Sequence, residues 1–246
     1  VRHFLSFFAA KILGKKHIHW KYHNSDVDMN FNKLFDISKI VDIQDTYNAT
    51  IQLQMAKQLI SMVDQSIAKY FNINTLFSKE HVQIIKDAYI YKGHTSTFSH
   101  DRKNVAVHVR RGDISHMPFC DRYTDLDFFI RTIREIHSIY PDADFHIYSD
   151  SDVDLGFKSS DIRIFYHATD NILDIANDMI ASDILVMSIG SNVSHFAGLL
   201  NEGIVYFDKD KLIPCFNNRY NIYWSEWHGF IHDRDLFLQR IGEALV

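Results

Sequence analysis

From Val105 to Phe207, short apolar runs alternate with segments of helical period, and this alternation limits the fold more than any other feature of the chain. Val105–Val109, Phe145–Ser149, Arg163–Tyr166, Ile184–Met187 and Ile204–Phe207 read as strands. The first of them is almost continuously apolar, which is how a strand covered on both faces looks. Between and after them, Asp125–Tyr140, Ile172–Ala181, Ser191–Leu200 and Asp233–Leu245 read as helices. In the first helix Phe128, Phe129, Ile133 and Ile136 share one face, and Pro141 closes it. Strands and helices in this order predict an α/β fold with a doubly wound, largely parallel sheet.

The upstream part has a similar layout. Arg2–Gly14 reads as a helix stopped by glycine and His17–Trp20 as a short strand. A helix running directly into a strand is the second half of a β-α-β unit, so a first strand is expected before Val1. Asn48–Phe71 carries apolar residues at three- and four-residue steps (Ile51, Met55, Leu59, Met62, Val63, Ile67), with its methionines as core filler. His81–Tyr91 is a further helix, ended at Gly93. His94–Asn104 is polar and aperiodic and reads as a link, with His94 and His100 exposed on it. The expectation is two Rossmann-like halves, 1–99 and 100–246, with a cleft between them.

Val105–Asp113 reads VAVHVRRGD, a strand that ends abruptly in two arginines, a glycine and an aspartate. Side chains alternate across a strand, so His108 and Arg110 share one face and Arg111 takes the other. Polar groups at the carboxyl end of such a strand lie where open α/β sheets bind ligands. A forked guanidinium there suits a phosphate or diphosphate, although pairing with carboxylates is the plainer use of an Arg-Arg strand end. Met187–Leu200 (MSIGSNVSHFAGLL) is the second informative stretch. A strand end, a small-residue turn and a helix start bring backbone N–H groups to the same edge, with Ser191 or Asn192 as cap. A well-capped helix with no ligand role has the same sequence signature.

His108, Arg110, Arg111 and Asp113 together resemble the H-x-R-R-x-D motif of the alpha-1,2- and alpha-1,6-fucosyltransferases, glycosyltransferases of the GT-B type. The likeness runs in order to about Leu200 and is only one of layout before Lys103. It implies an inverting, metal-independent transfer of a sugar from a nucleotide diphosphate, GDP-fucose first, to a glycan hydroxyl, with no cofactor. By the same resemblance Arg110 is the electrophilic group on the leaving diphosphate, with His108 and Arg111 beside the donor. Ser149 and Asp150 match the family's Ser-Asp after the next strand, and Ser188, Ser191 and Ser194 match its Ser-rich helix start, with Asn192 between them. His195 departs from that pattern, and the family's first Gly-rich turn would follow the strand expected before Val1. Asp113, His116 and Asp121 follow the motif and are the candidates for a general base. Trp224 and Trp227, between Tyr223 and His228, have flat rings that suit an acceptor sugar or the packing of a terminal segment. Ser182-Asp183 places a carboxylate toward the base or ribose, or simply at a helix end.

Composition narrows the partners. A net charge of −5 argues against nucleic acid, whose footprint is a basic stripe. Two cysteines, Cys120 and Cys215, make no disulfide framework and favour a reducing, cytoplasmic compartment. Phe4–Leu13, interrupted by Lys11, falls short of the roughly 20 apolar residues that cross a bilayer. Three alternatives stay open: another donor sugar such as rhamnose or xylose, a metal-dependent transferase built on Asp150-Ser-Asp152-Val-Asp154, and a non-catalytic nucleotide- or glycan-binding module.

Overall fold

The structure, a computed structural model, describes residues 18–19, 43–44, 78–90, 98–112, 123–158, 161–167, 171–188, 191–208 and 230–244. The chain divides into two compact units, Val1–Lys92 and Gly93–Val246. In the first, β1 (Ile18–His19) pairs in parallel with β2 (Ile43–Gln44). Helix α1 (Lys79–Ala88) also belongs to this unit; Ser78 caps it by accepting from His81 N, and Val82, Ile85 and Ala88 are buried. The expected helices Arg2–Gly14 and Asn48–Phe71 lie outside the described residues.

The second unit is built on β3 (Asn104–His108), α2 (Leu126–Ile139), β4 (Asp144–Tyr148), β5 (Ile164–His167), α3 (Ile172–Ala181), β6 (Ile184–Met187), α4 (Asn192–Leu200), β7 (Ile204–Phe207), β8 (Phe230–Ile231) and α5 (Arg234–Glu243). Its six strands form one sheet in the order β5-β4-β3-β6-β7-β8, and every neighbouring pair is parallel. Counted within this unit the order is 3-2-1-4-5-6, the arrangement of the dinucleotide-binding Rossmann folds. The α/β class with a parallel sheet is therefore as the alternation predicts. Apart from the two-residue strands β2 and β8, which the sequence did not announce, the described strands and helices fall within about three residues of their expected bounds, the usual spread at element ends.

The two faces of the sheet differ chemically. Val105, Val107, Phe145, Ile147, Ile184, Val186 and Tyr206 join Val109 in a core with Phe128, Phe129, Ile133 and Ile136 of α2 and Phe237 and Ile241 of α5. Tyr206 stacks on Phe237 at 4.0 Å between ring centres, and the Tyr140 hydroxyl donates to Ile241 O at 2.5 Å, which docks α5 on α2. Strand alternation sends His108, His146 and Tyr148 to the opposite face, where α3 and α4 pack on each other. There the Tyr148 hydroxyl donates to Asp178 at 2.9 Å, and the His108 ring bonds the Ser194 hydroxyl. Beside them His146 shares a hydrogen bond with His167 at 3.2 Å and stacks on Phe165.

Two connections are tied by one asparagine. Asn201, just past α4, brings its amide nitrogen within 2.9 Å of Met179 O, 3.1 Å of Ile180 O and 2.9 Å of Ser182 O, while its carbonyl accepts from Gly203 N at 2.7 Å. It thus satisfies carbonyls that the end of α3 leaves without helical partners. Among the described residues no helix is long and apolar enough to cross a membrane.

Candidate functional site at the carboxyl edge of the sheet

The path of the chain reverses between β3 and β6. From β3 it runs outward through β4 to β5, then returns across α3 to β6 on the other side. At such a switch point the connections leave in opposite directions, and a crevice opens at the carboxyl ends of the two central strands. The polar end of the motif strand lies on this edge. Arg110 is half-buried and Arg111 buried, and the neighbouring contributions come from Ser188 after β6, Asp150 after β4 and the start of α4.

The three serines are buried, and each hydroxyl has a partner within the protein. Ser188 Oγ donates to His108 O at 2.7 Å and accepts from Arg110 N at 2.9 Å. Ser191 is the N-cap of α4 and accepts from Ser194 N at 3.4 Å; Ser194 Oγ meets His108 Nδ1. This lattice fixes β3, β6 and the first turn of α4 to one another. It leaves the positive helix end on the same edge as Arg110.

Arg111 goes to the α2 side of the sheet, as alternation predicts. The Arg111 guanidinium turns toward the segment before α2, where it donates to Thr124 O at 2.9 Å and to Arg110 O at 2.7 Å and lies 4.4 Å above the Tyr123 ring. Burial pulls its pKa down, and Tyr123, Asp125 and Asp150 oppose that shift. Both of its terminal nitrogens thus serve backbone carbonyls. Tyr123 and Thr124 carry no sequence signal, because nothing in their spacing marks them as partners of an arginine more than ten positions earlier.

Asp150 accepts from Arg111 N at 2.7 Å and from Gly112 N at 2.8 Å, both on Oδ1. Asp154 accepts from Gly156 N in a turn that Gly156 enters with φ 70°, and Asp152 is exposed. The three aspartates that could have formed a cation site thus have different surroundings. Among the described residues no group of three or more His, Cys, Asp or Glu side chains is placed to hold a metal ion. Ser149 is buried and accepts from Ser151 N in the turn that aims Asp150.

Of its two readings, Asp183 takes the helix end. It precedes β6, at the amino edge of the sheet, where its carboxylate accepts from Asn104 N at 2.8 Å and pairs with Lys103. A carboxylate there is at the opposite end of the strand from Ser188 and cannot meet a ligand at the carboxyl edge. His100 is exposed, as expected. Asp113, His116, Asp121, Trp224, Trp227 and the side chain of Asn192 lie outside the described residues, as do His94, Cys120 and Cys215.

Histidine electrostatics add a measurable property. Burial holds His108 at a pKa of about 4, with Asp150 opposing and the Arg110 charge reinforcing the shift. Burial likewise brings His146 to about 4, with His167 adding to it, and His195 to about 3. All three are neutral in the folded protein at pH 7. The unfolded chain takes up their protons first, near 6.5, so the associated stability is complete above that pH and is lost as pH falls toward 4. Calorimetric melting from pH 8 to 4.5 is expected to show a plateau and then a fall of about 10 °C between pH 7 and 5. A flat profile through that window would contradict the buried neutral histidines.

No family model matches the chain, and no curated protein matches it. Among solved structures, crystal structures of the glycosyltransferase GlyE of Streptococcus pneumoniae TIGR4 are similar at 10% sequence identity. The apo form has a TM-score of 0.34 and the second GlyE structure 0.33; both matches cover 98% of this chain and 52% of GlyE. The chain thus spans about half the length of that protein.

Proposed function

We propose that this chain is a glycosyltransferase that binds a nucleotide diphosphate sugar at the carboxyl edge of its parallel sheet. The observation that carries the reading is the position of Arg110. The residue stands at the switch point between β3 and β6, its backbone N–H held by Ser188, with the start of α4 on the same edge. The bond between sugar and diphosphate breaks with negative charge growing on the terminal phosphate, while the sugar becomes oxocarbenium-like. A guanidinium held at that phosphate stabilises the transition state more than the ground state, because the charge it meets is still developing. The opening N–H groups of α4 add a second favourable pole to the same diphosphate.

In this reading the acceptor hydroxyl attacks from the face opposite the leaving group and inverts the anomeric carbon. Its proton passes to a base drawn from Asp113, His116 and Asp121, and the nucleoside diphosphate leaves with the bonding electron pair. Trp224 and Trp227 receive the acceptor. GDP-fucose is the first donor to test, because the H-x-R-R-x-D pattern at 108–113 resembles that of enzymes using it. Rhamnose and xylose donors come next. The guanidinium takes the electrostatic part that a divalent cation has in other transferases, so the transfer is proposed to be metal-independent.

The test is a thermal-shift and calorimetry panel of GDP, UDP and dTDP with their sugars, each with and without EDTA. One nucleotide at about a hundred times its Kd is expected to add roughly 2.7 kcal/mol to stability, and the chelator to change nothing. Binding of none of them, or binding only with a divalent ion, would overturn the proposal.

A further inference from the structure

We infer that Asp150 is a positioning residue for Arg110, acting through the backbone of the turn rather than on the donor itself. The inference deepens the diphosphate reading given above and rests on it. Main-chain pairing of the motif strand with β4 makes its last rung at Val109, whose N–H donates to Tyr148 O at 2.8 Å. Beyond that point side chains take over the ladder. Arg110 N turns toward the β6 side and finds Ser188 Oγ at 2.9 Å. Arg111 N turns back toward the β4 side and, with Gly112 N, finds Asp150 Oδ1. The N–H groups alternate between the two neighbours as they do in a strand, although neither partner is a backbone carbonyl.

Arg110 is thereby fixed at three successive points. Its own N–H goes to Ser188, its carbonyl accepts from the Arg111 guanidinium at 2.7 Å, and the next N–H goes to Asp150. Little freedom remains for the torsions that set the direction of its side chain. Gly112 completes the arrangement. A Cβ at this position would lie 2.3 Å from Asp150 Oδ2 and 2.7 Å from its Cγ, so only glycine lets the carboxylate approach. Gly112 and Asp150 are a matched pair although 38 positions separate them.

Charge decides between positioning and donor contact. A carboxylate facing a diphosphate would repel it, whereas one engaged by two N–H groups spends its charge on the turn. An amide oxygen makes the same two bonds without the charge, so asparagine separates the two roles. In the full chain, Asp150→Ala is expected to weaken binding of both pyrophosphate and the nucleoside diphosphate by at least about tenfold and to lower kcat by more, whereas Asp150→Asn stays within about threefold. Gly112→Ala should reproduce the alanine phenotype, and the double variant should be no worse than either single one. Amide exchange of Arg111 and Gly112 should quicken in Asp150→Ala and stay slow in Asp150→Asn.

An Asp150→Asn variant as impaired as Asp150→Ala would overturn the positioning role, and so would an Asp150→Ala variant that binds pyrophosphate like the wild type. A wild type whose two amides are protected but which binds neither pyrophosphate nor any nucleoside diphosphate overturns instead the donor reading on which the role rests.

Discussion

Replacing Arg110 by alanine is expected to reduce glycosyl transfer by roughly 10²–10³-fold, the usual cost of removing a donor that meets developing charge. Binding of the nucleoside diphosphate should weaken by at least about tenfold, because one charge-assisted contact contributes about 1.5–3 kcal/mol. The fold should not respond. Alanine retains the bonded N–H and carbonyl of Arg110, which tie the strand end to Ser188 and Arg111, and position 110 is half-buried at the sheet edge. Steady-state kinetics with the donor, titration calorimetry with the nucleotide and a melting curve read the three quantities independently. Arg110→Lys keeps the charge but loses the fork, so it should fall between wild type and alanine. Near-normal turnover in Arg110→Ala would remove the basis of the proposed mechanism.

The largest effect on stability is expected at Gly203, in the bend between α4 and β7. A Cβ there would lie 2.1 Å from Asp183 O, 2.8 Å from Asp183 C and 3.0 Å from Ser182 O, all of them backbone atoms. No side chain can rotate away to make room. The same Asp183 carbonyl accepts from Ile204 N at 3.0 Å, the bond that opens pairing of β7 with β6, and Gly203 N is held by Asn201. Gly203→Ala must therefore displace two connections and the first rung of a central ladder. It should cost about 3 kcal/mol, the upper part of the range for overpacking, and lower Tm by about 6–12 °C for a chain of this size. Gly242 is the internal control. It lies in α5 with nothing within 4 Å of a Cβ, so Gly242→Ala should be neutral or stabilising by up to about 1 kcal/mol. Equal melting temperatures for the two variants would refute the steric account.

What was legible in the chain follows from what each element depends on. Strands β3, β4, β6 and β7 are buried on both faces, so their apolar runs announce them locally. Helix α2 shows its buried face at Phe128, Phe129, Ile133 and Ile136 for the same reason. Strand β8 has two residues, too few to carry a period, and was not foreseen. The location of the candidate site was legible because the motif arginines end a strand, and strand ends define the edge of a parallel sheet. The tasks of individual side chains were not. Asp150 and Asp183 each follow or precede a strand, yet one meets the carboxyl edge and the other the amino edge, where Asn104 and Lys103 take it. Arg111 is engaged by Thr124 and Tyr123, and Asn201 by three carbonyls up to 22 positions away. Such partners are set by the packing of α3 and α4 and by the course of the loops, which no local pattern encodes.

The unlike chemistry of the two sheet faces bears on how this domain can change over time. The layer under α2 and α5 is held by dispersion and water exclusion, forces with little directionality, so isosteric exchanges among Val, Ile, Leu and Phe should be absorbed there. The layer under α3 and α4 adds directed bonds (His108 to Ser194, Tyr148 to Asp178, His146 to His167) to its apolar packing of Leu185, Met187, Met179 and Leu199, and an altered group in one of those bonds leaves its partner without a mate. Divergence should accumulate on the first side and stall on the second, leaving the register of the helices beside the candidate site as the slowest-drifting property of the molecule.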